Sequence, residues 1–194
     1  MATIETALTR LLGIRHPILL APMGSAAGGK LAAAVTHAGG LGLLGSGYAD
    51  ERAIRRELSE AGNARVGIGF ILWALDKNPV ALDVALDAKP AVVMLSFGDP
   101  SPYTGRIRAA GCRIICQVQT LDQAKQAAAA GADIIIAQGR DAGGHSGTTR
   151  GTSRSACVGS RNGRARTGRS TRSRPRCATP TSGTSGWRQK SIRR

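Results

Sequence analysis

Residues 91–138 read AVVMLSFGDPSPYTGRIRAAGCRIICQVQTLDQAKQAAAAGADIIIAQ and alternate two kinds of segment. Strands that are apolar at almost every position are buried on both faces, and a helix between consecutive strands makes those strands parallel. The stretch therefore predicts successive βα units of an α/β fold. Its apolar runs are Ala91–Phe97, Arg113–Gln119 and Asp133–Gln138, and its segments of helical period are Gly105–Ala110 and Leu121–Ala130.

The same alternation extends toward the N-terminus. Three further apolar runs are each followed by a helical segment: Pro17–Met23 by Gly29–His37, Leu41–Ser46 by Asp50–Ala61, and Val66–Leu72 by Val80–Leu86. Six such units in a row fit either a doubly wound open sheet or a (β/α)8 barrel. Small or polar residues stand at the carboxyl ends of the runs, and in a barrel these ends converge on one mouth, where such folds place their chemistry. We therefore predict an α/β fold, a partial TIM (β/α)8 barrel with about six βα units.

The positive charge of the chain belongs to its C-terminal segment. The 194 residues carry 27 Lys and Arg against 12 Asp and Glu, for a net charge of +15, and none of the acidic residues lies beyond position 149. With 42% hydrophobic residues the chain can form one domain with a real core. Residues 152–194 lack apolar periodicity, so they cannot offset their ordering entropy by burial. We expect a folded domain over residues 1–151 and a disordered Arg/Ser/Gly-rich tail over residues 152–194.

Two interpretations of this basic tail remain open. An arginine-rich arm binds phosphate backbones without sequence preference, but its only aromatic side chain is Trp187, so a stacking platform for single strands is missing. A segment of Arg, Gly, Ser, Thr, Pro and Ala is also what GC-rich coding sequence gives out of frame. We favour this frameshift interpretation over non-enzymatic nucleic-acid binding.

The N-terminus and the cysteines indicate the cellular compartment. Residues 1–6 have no basic segment before an apolar run, and the apolar run that begins at Ile18 is too short for a membrane span. Cys112 and Cys116 flank a predicted strand, which puts them ~13 Å apart, too far to form a disulfide or to share a metal ion. We expect a cytoplasmic protein with free thiols and no metal site.

One histidine stands in a setting typical of a catalytic group. His145 lies in the segment DAGGHSG, residues 141–147, directly after the sixth apolar run. Consecutive glycines let the backbone approach a flat ligand, and the imidazole then projects over that ligand. His16 precedes the first run and His37 ends a predicted helix, so we interpret both as structural. The pattern GLGLLG at 40–45 follows a helix and lies in a strand, so we interpret it as a helix cap and a tightly packed strand, not as a dinucleotide loop.

Five segments together resemble the nitronate monooxygenase family. They are TRLLGIRHPILLAPM (9–23), HAGGLGLLG (37–45), GIGFILWAL (67–75), SFGDP (96–100) and AQGRDAGGHSG (137–147). The resemblance implies a flavin-dependent (β/α)8 barrel with FMN bound non-covalently at the barrel mouth, and oxidation of alkyl nitronates with O2. It implies that His145 is the catalytic histidine. It also implies FMN contacts from Pro22, Met23, Gly69, Gln117, Gln138, Gly139 and Gly143.

The resemblance covers residues 9 to about 151 and then stops. The loops that hold the phosphate in such barrels follow the seventh and eighth strands, and residues 152–194 contain no counterpart of them. We therefore expect a family member that is truncated or frameshifted after about residue 151, with weak FMN affinity. FMN-dependent enoyl-acyl-carrier-protein reductases share much of this framework, including a glycine-histidine loop, and their reaction is the alternative.

Overall fold

The computed structural model describes residues 4–139 and 142–145, and its helices and strands alternate over most of that range. All of these residues belong to one compact unit, residues 1–163. A second unit, residues 164–194, and the predicted tail over 152–194 lie outside the described residues. No helix in the described part is long and apolar enough to cross a bilayer. In chain order the elements are α1 (Ala7–Leu12), α2 (Gly29–His37), β1 (Leu43–Gly45), α3 (Glu51–Ala61), β2 (Gly67–Ile71), α4 (Leu72–Leu75), α5 (Val80–Asp87), β3 (Val92–Ser96), α6 (Ser101–Ala109), β4 (Arg113–Val118), α7 (Leu121–Ala129) and β5 (Ile134–Ala137).

The five strands form one parallel sheet in the order β1-β2-β3-β4-β5. A doubly wound sheet reverses its strand order at a switch point, whereas a barrel adds each new strand on the same side of the last. The sequential order is therefore that of a barrel wall and confirms the predicted partial barrel over the doubly wound alternative.

The first predicted strand, Pro17–Met23, is wrong in extent. The structure has a single parallel bridge there, between Leu19 and Leu41. The Leu41 N–H donates to the Ile18 carbonyl at 3.0 Å, and the Leu20 N–H donates to the Leu41 carbonyl at 2.9 Å. The prolines at both ends of the run have no N–H to donate, so the ladder cannot extend past them. Five strands and one bridge thus stand where six strands were predicted.

Two helices escaped the sequence analysis, and a third starts earlier than predicted. Helix α1 begins with a capping box in which the Thr6 hydroxyl accepts from the Thr9 N–H at 3.1 Å, and it ends at Gly13 with φ +64°. Helix α4 is a single turn directly after β2. Helix α6 begins at Ser101, not at Gly105, and its N-cap is Pro100. Just before the helix, the Asp99 carboxylate accepts from the Ser101 N–H at 3.0 Å.

Alternate residues of the strands face two different hydrophobic cores. The outer face packs against the helices and contains Phe70, Leu95 and Ile114, among others. The inner face, toward the barrel interior, contains Leu43, Val92, Met94, Ile115 and Ile134. Leu12 of α1 joins this inner cluster, so α1 covers it from the N-terminal side. The two faces follow from the period of two that a strand imposes on its side chains.

Glycines set how closely these elements pack. A Cβ on Gly42 would lie 1.9 Å from the Ala32 carbonyl oxygen of α2, which confirms the close-packed interpretation of GLGLLG. A Cβ on Gly29 at the start of α2 would lie 2.0 Å from the Glu57 carbonyl oxygen of α3. The Glu57 carboxylate accepts from the Gly29 N–H at 2.9 Å, so α3 supplies the cap that α2 lacks in its own sequence.

The described cysteines, Cys112 and Cys116, are both free and buried, as expected for inert thiols. Cys116 lies inside β4 and does not flank it, because β4 continues to Val118. Burial raises the pKa of the Cys116 thiol to about 11 and raises that of Cys112 as well. Cys157 and Cys177 lie outside the described residues.

Candidate functional site

The carboxyl ends of the strands bring the predicted polar residues into one row. The register pairs Ile71 with Ser96, Ser96 with Gln117, and Gln117 with Ile136. Ser96 is two residues after Met94 and Gln117 is two residues after Ile115, so both belong to the inner face, at its carboxyl edge. This edge is where barrel enzymes carry their chemistry.

Three half-buried glutamines, the glutamine cluster of Gln117, Gln119 and Gln138, connect β4 to the loop after β5. Gln138 Oε1 accepts from Gln117 Nε2 at 2.9 Å and from Gln119 Nε2 at 2.6 Å. Gln138 Nε2 donates to the His145 carbonyl oxygen at 2.8 Å. Gln138 therefore fixes the backbone of His145 relative to the sheet. The sequence analysis missed Gln119, although its spacing of two from Gln117 places both on the same face of an extended segment.

The His145 imidazole lies above the carboxyl edge of the sheet and is exposed to solvent. Its ring centroid is 6.5 Å from that of Tyr48, which follows β1, and 6.3 Å from that of Phe97, which follows β3. The Tyr48 ring in turn lies 5.5 Å from the Trp73 ring of α4. The sequence analysis did not predict these three aromatic residues as part of the site, since nothing local marks them.

The segment that contains Pro22 and Met23 lies against the ends of β1 and β2. A Cβ on Gly69 would lie 2.4 Å from Pro22 Cγ, so the proline ring occupies the space that a side chain at position 69 would need. A Cβ on Gly45 would lie 2.6 Å from the Met23 carbonyl carbon. The Pro22 ring therefore packs directly against the backbone of Gly69. The neighbouring Met23 is 41% exposed.

The remaining predicted glycines leave their backbone open. A Cβ on Gly139 or on Gly143 would meet nothing within 4 Å. Gly144 has φ +85°, a conformation that favours glycine. The backbone on both sides of residues 140–141, which lie outside the described residues, is therefore accessible to a ligand.

A buried hydroxyl stands just beyond the carboxyl end of β1. Ser46, directly after β1, is 2% exposed, and its Oγ makes no hydrogen bond to the described residues. Buried polar atoms are almost always hydrogen-bonded, so this oxygen is available to a ligand or a water molecule. This hydroxyl, the amides of the glutamine cluster and the open glycine backbone all lie at the carboxyl edge and are of the donor and acceptor types that the polar edge of a flavin ring binds.

A larger cavity lies at the opposite, amino-terminal edge of the sheet. It has a volume of about 210 Å³ and is lined in part by Arg15, His37 and Arg65. Arg65 Nη1 donates to the Leu12 carbonyl at 2.6 Å and Arg15 Nη2 donates to the His37 carbonyl at 3.3 Å, so both guanidinium groups bind carbonyls at helix ends. We assign the candidate site to the carboxyl edge because the chemistry-bearing side chains converge there, although the cavity beside Phe97 and Gln117 measures only about 20 Å³.

Comparison with known proteins connects this arrangement to one family of enzymes. The family model of nitronate monooxygenase matches residues 5–66 and 76–159. A nitronate monooxygenase of Paraburkholderia phytofirmans is 33% identical over 186 residues, covering 75% of this chain and 51% of the relative. The (3aS,4S,5R,7aS)-5-hydroxy-7a-methyl-1-oxo-octahydro-1H-indene-4-carboxyl-CoA dehydrogenase of Rhodococcus jostii is 31% identical over 150 residues, covering 76% of this chain and 42% of the relative.

Solved structures give the same result for the fold. FabK from Thermotoga maritima superposes with a TM-score of 0.68 at 37% identity and covers 75% of this chain and 47% of its own. The nitroalkane oxidase from Streptomyces ansochromogenes superposes with a TM-score of 0.62 at 31% identity and covers 73% of this chain and 51% of its own. Both neighbours are TIM-barrel enzymes, and this chain spans about half the length of the relatives that it matches. The chain belongs to the nitronate monooxygenase family.

Proposed function

We propose that this chain carries the flavin-ring contacts and the catalytic histidine of an FMN-dependent nitronate monooxygenase, which oxidises alkyl nitronates with O2. The observation that carries the proposal is the position of His145, above the carboxyl edge of the sheet and tied to it through Gln138. Family membership supports the reaction class.

We propose that residues 1–151 form the flavin-binding part of the barrel. The FMN contacts would come from Pro22, Met23, Gly69, Gln117, Gln138, Gly139 and Gly143. Gly69 would contribute indirectly, because the Pro22 ring packs against it. FMN, when bound, supplies the acceptor for the electrons of the substrate and their transfer to O2. A cytoplasmic location stays a prediction.

In this proposal the imidazole of His145 acts on the substrate. In this proposal His145 removes the α-proton of a nitroalkane or donates a hydrogen bond to a nitronate oxygen, which are the roles of a general base or acid. Its exposed ring can reach a small molecule that approaches from solvent. The Gln138 amide holds the His145 backbone, and the Tyr48 and Phe97 rings restrict where the imidazole can turn.

The test uses the full chain supplied with FMN. FMN binding is measured by quenching of flavin fluorescence, and turnover by O2 consumption with ethylnitronate. We expect His145→Ala to abolish O2 consumption and to leave FMN binding largely intact. The matched control is His37→Ala, since His37 is an exposed histidine at the end of α2, far along the chain from the site. Equal O2 consumption by His145→Ala and wild type would refute the role of His145.

A second candidate reaction is that of an FMN-dependent enoyl-acyl-carrier-protein reductase. The superposition on FabK, an enoyl reductase neighbour, favours it. The same FMN-supplied chain then oxidises NAD(P)H in a manner that depends on a crotonyl thioester. Nitronate-dependent O2 consumption without a pyridine nucleotide supports the monooxygenase instead.

A further inference from the structure

Aromatic residues are scarce in this chain and yet collect at one place. The 194 residues include only two Trp, two Tyr and two Phe. Phe70 and Tyr103 are buried in the helix-facing core, and Trp187 lies outside the described residues. The other three are Tyr48, Trp73 and Phe97, which we call the aromatic rim, and all three stand within three residues of the carboxyl end of a strand.

The aromatic rim is continuous with His145. Phe97 and Tyr48 are both in ring contact with the imidazole, and Trp73 extends the surface by one further ring, 5.5 Å beyond Tyr48. Lys77 Nζ lies 5.6 Å from the Trp73 ring centroid, a cation–π contact at the far end of the rim.

Two of the three rim side chains are exposed to solvent, and the backbone is strained beside Tyr48 and at Phe97. Tyr48 is 64% exposed and Trp73 is 44% exposed. Ala49, next to Tyr48, has φ +60°, and Phe97 itself has φ +60°. Residues other than glycine rarely adopt this conformation, and such strain collects at functional sites. Solvent exposure of two large aromatic rings is also unfavourable unless a ligand covers them.

We propose that the aromatic rim binds the hydrocarbon part of the substrate, so that the chain prefers nitronates with a chain of several carbons or a ring over ethylnitronate. The inference rests on the proposed function, because it takes His145 as the group that meets the nitronate carbon. The Tyr48 ring is near both the His145 ring, at 6.5 Å, and the Trp73 ring, at 5.5 Å, so a hydrocarbon chain attached to that carbon can lie along these rings. Burial of one methylene is worth about fourfold in affinity at most, and a rim open to solvent on one side should give about twofold per carbon.

The first test measures binding without turnover. In the Trp187→Phe background Trp73 is the only tryptophan, so contact quenching by a nitroalkane reports on the aromatic rim. We expect quenching by 1-nitrohexane to saturate at a concentration roughly sixteenfold below that for nitroethane, following about twofold per carbon over four carbons. Tyr48→Ala should weaken this saturation, Tyr48→Phe should retain it because the ring remains, and the control Ile18→Ala changes an equally apolar side chain, 59% exposed, at the opposite edge. Quenching that rises linearly and equally for both compounds would overturn the proposal.

The second test separates this inference from the proposed function. O2 consumption by the FMN-supplied chain is measured with ethyl, butyl and hexyl nitronates, and kcat/KM should rise with chain length in wild type and flatten in Trp73→Ala. Turnover with no dependence on chain length would overturn the aromatic rim as a subsite and leave the monooxygenase proposal standing. Saturable quenching with no turnover of any nitronate would support the rim as a hydrocarbon subsite and count against the monooxygenase reaction.

Discussion

Gly69→Ala tests how the sheet positions the segment at the edge of the candidate site. The new Cβ would lie 2.4 Å from Pro22 Cγ and 2.5 Å from Pro22 Cβ, whereas ordinary contact begins at 3.4 Å. The Pro22 ring must therefore retreat by about 1 Å, the difference between those distances. A proline ring cannot swing away by rotamer change, so residues 22–24 have to move with it.

This overpacking should cost about 1–3 kcal/mol of unfolding free energy. The matched control is Gly105→Ala, in the interior of α6, where the added Cβ meets nothing within 4 Å. That change should stabilise the chain by about 0.5–1 kcal/mol, because alanine favours a helix more than glycine does.

The assay is urea unfolding of the full chain followed by far-UV circular dichroism, with FMN fluorescence quenching as a second readout. With slopes of about 1–3 kcal/mol per molar urea, the two variants should shift the midpoint in opposite directions by measurable amounts. We also expect weaker FMN binding by Gly69→Ala only. If the unfolding free energy of Gly69→Ala lies within about 0.5 kcal/mol of that of wild type, Pro22 does not pack tightly against β2.

Three further predictions concern titratable groups. Burial raises the pKa of Tyr103 to about 12. Its stabilising contribution is therefore present below pH ~10 and is lost as pH rises through ~12. The unfolding temperatures of wild type and Tyr103→Phe should converge at the high-pH end of this window. The raised pKa of Cys116, about 11, predicts negligible reaction with a disulfide reagent at pH 8 until guanidinium unfolds the chain. The Arg56 guanidinium and the Gly29 N–H lower the pKa of Glu57. The contribution of Glu57 to stability is therefore present above the ordinary pKa of glutamate and is lost as pH falls through the lowered value. The urea midpoints at pH 7 and pH 3 should differ less in Glu57→Gln than in Glu60→Gln.

The regular part of the fold was predictable because each βα unit carries its own signal. Helix α2 has the predicted bounds, Gly29–His37, since its ends are marked locally, and strands β2 to β5 fall inside the predicted apolar runs. The predicted strand Pro17–Met23 is only a bridge in the structure, because Pro17 and Pro22 have no N–H groups to extend the ladder, although the run is apolar. Helix α1 has no acidic residue in its first turn and a threonine in place of the usual Glu or Gln of a capping box, so its signal was weak.

The site was predictable only where its residues stand close together along the chain. Gln138 and His145 are seven residues apart, and the glycines around them predict a loop that binds a ligand. Tyr48, Trp73 and Phe97 are each about one βα unit apart in sequence, and only the winding of the barrel brings their rings together. No local pattern marks such residues, because their proximity is a property of the register between strands.

The glycines at the helix and strand contacts have a consequence for experiments that survey substitutions across the whole chain. Positions 29 and 42 leave less than 2.1 Å between a new methyl group and neighbouring backbone oxygen atoms. In a deep mutational scan scored by growth, these two positions would therefore tolerate substitutions as poorly as His145 does. At the glycines this intolerance has a steric cause, whereas at His145 its proposed cause is chemical. Only a scan that measures protein abundance separately from turnover would distinguish the two.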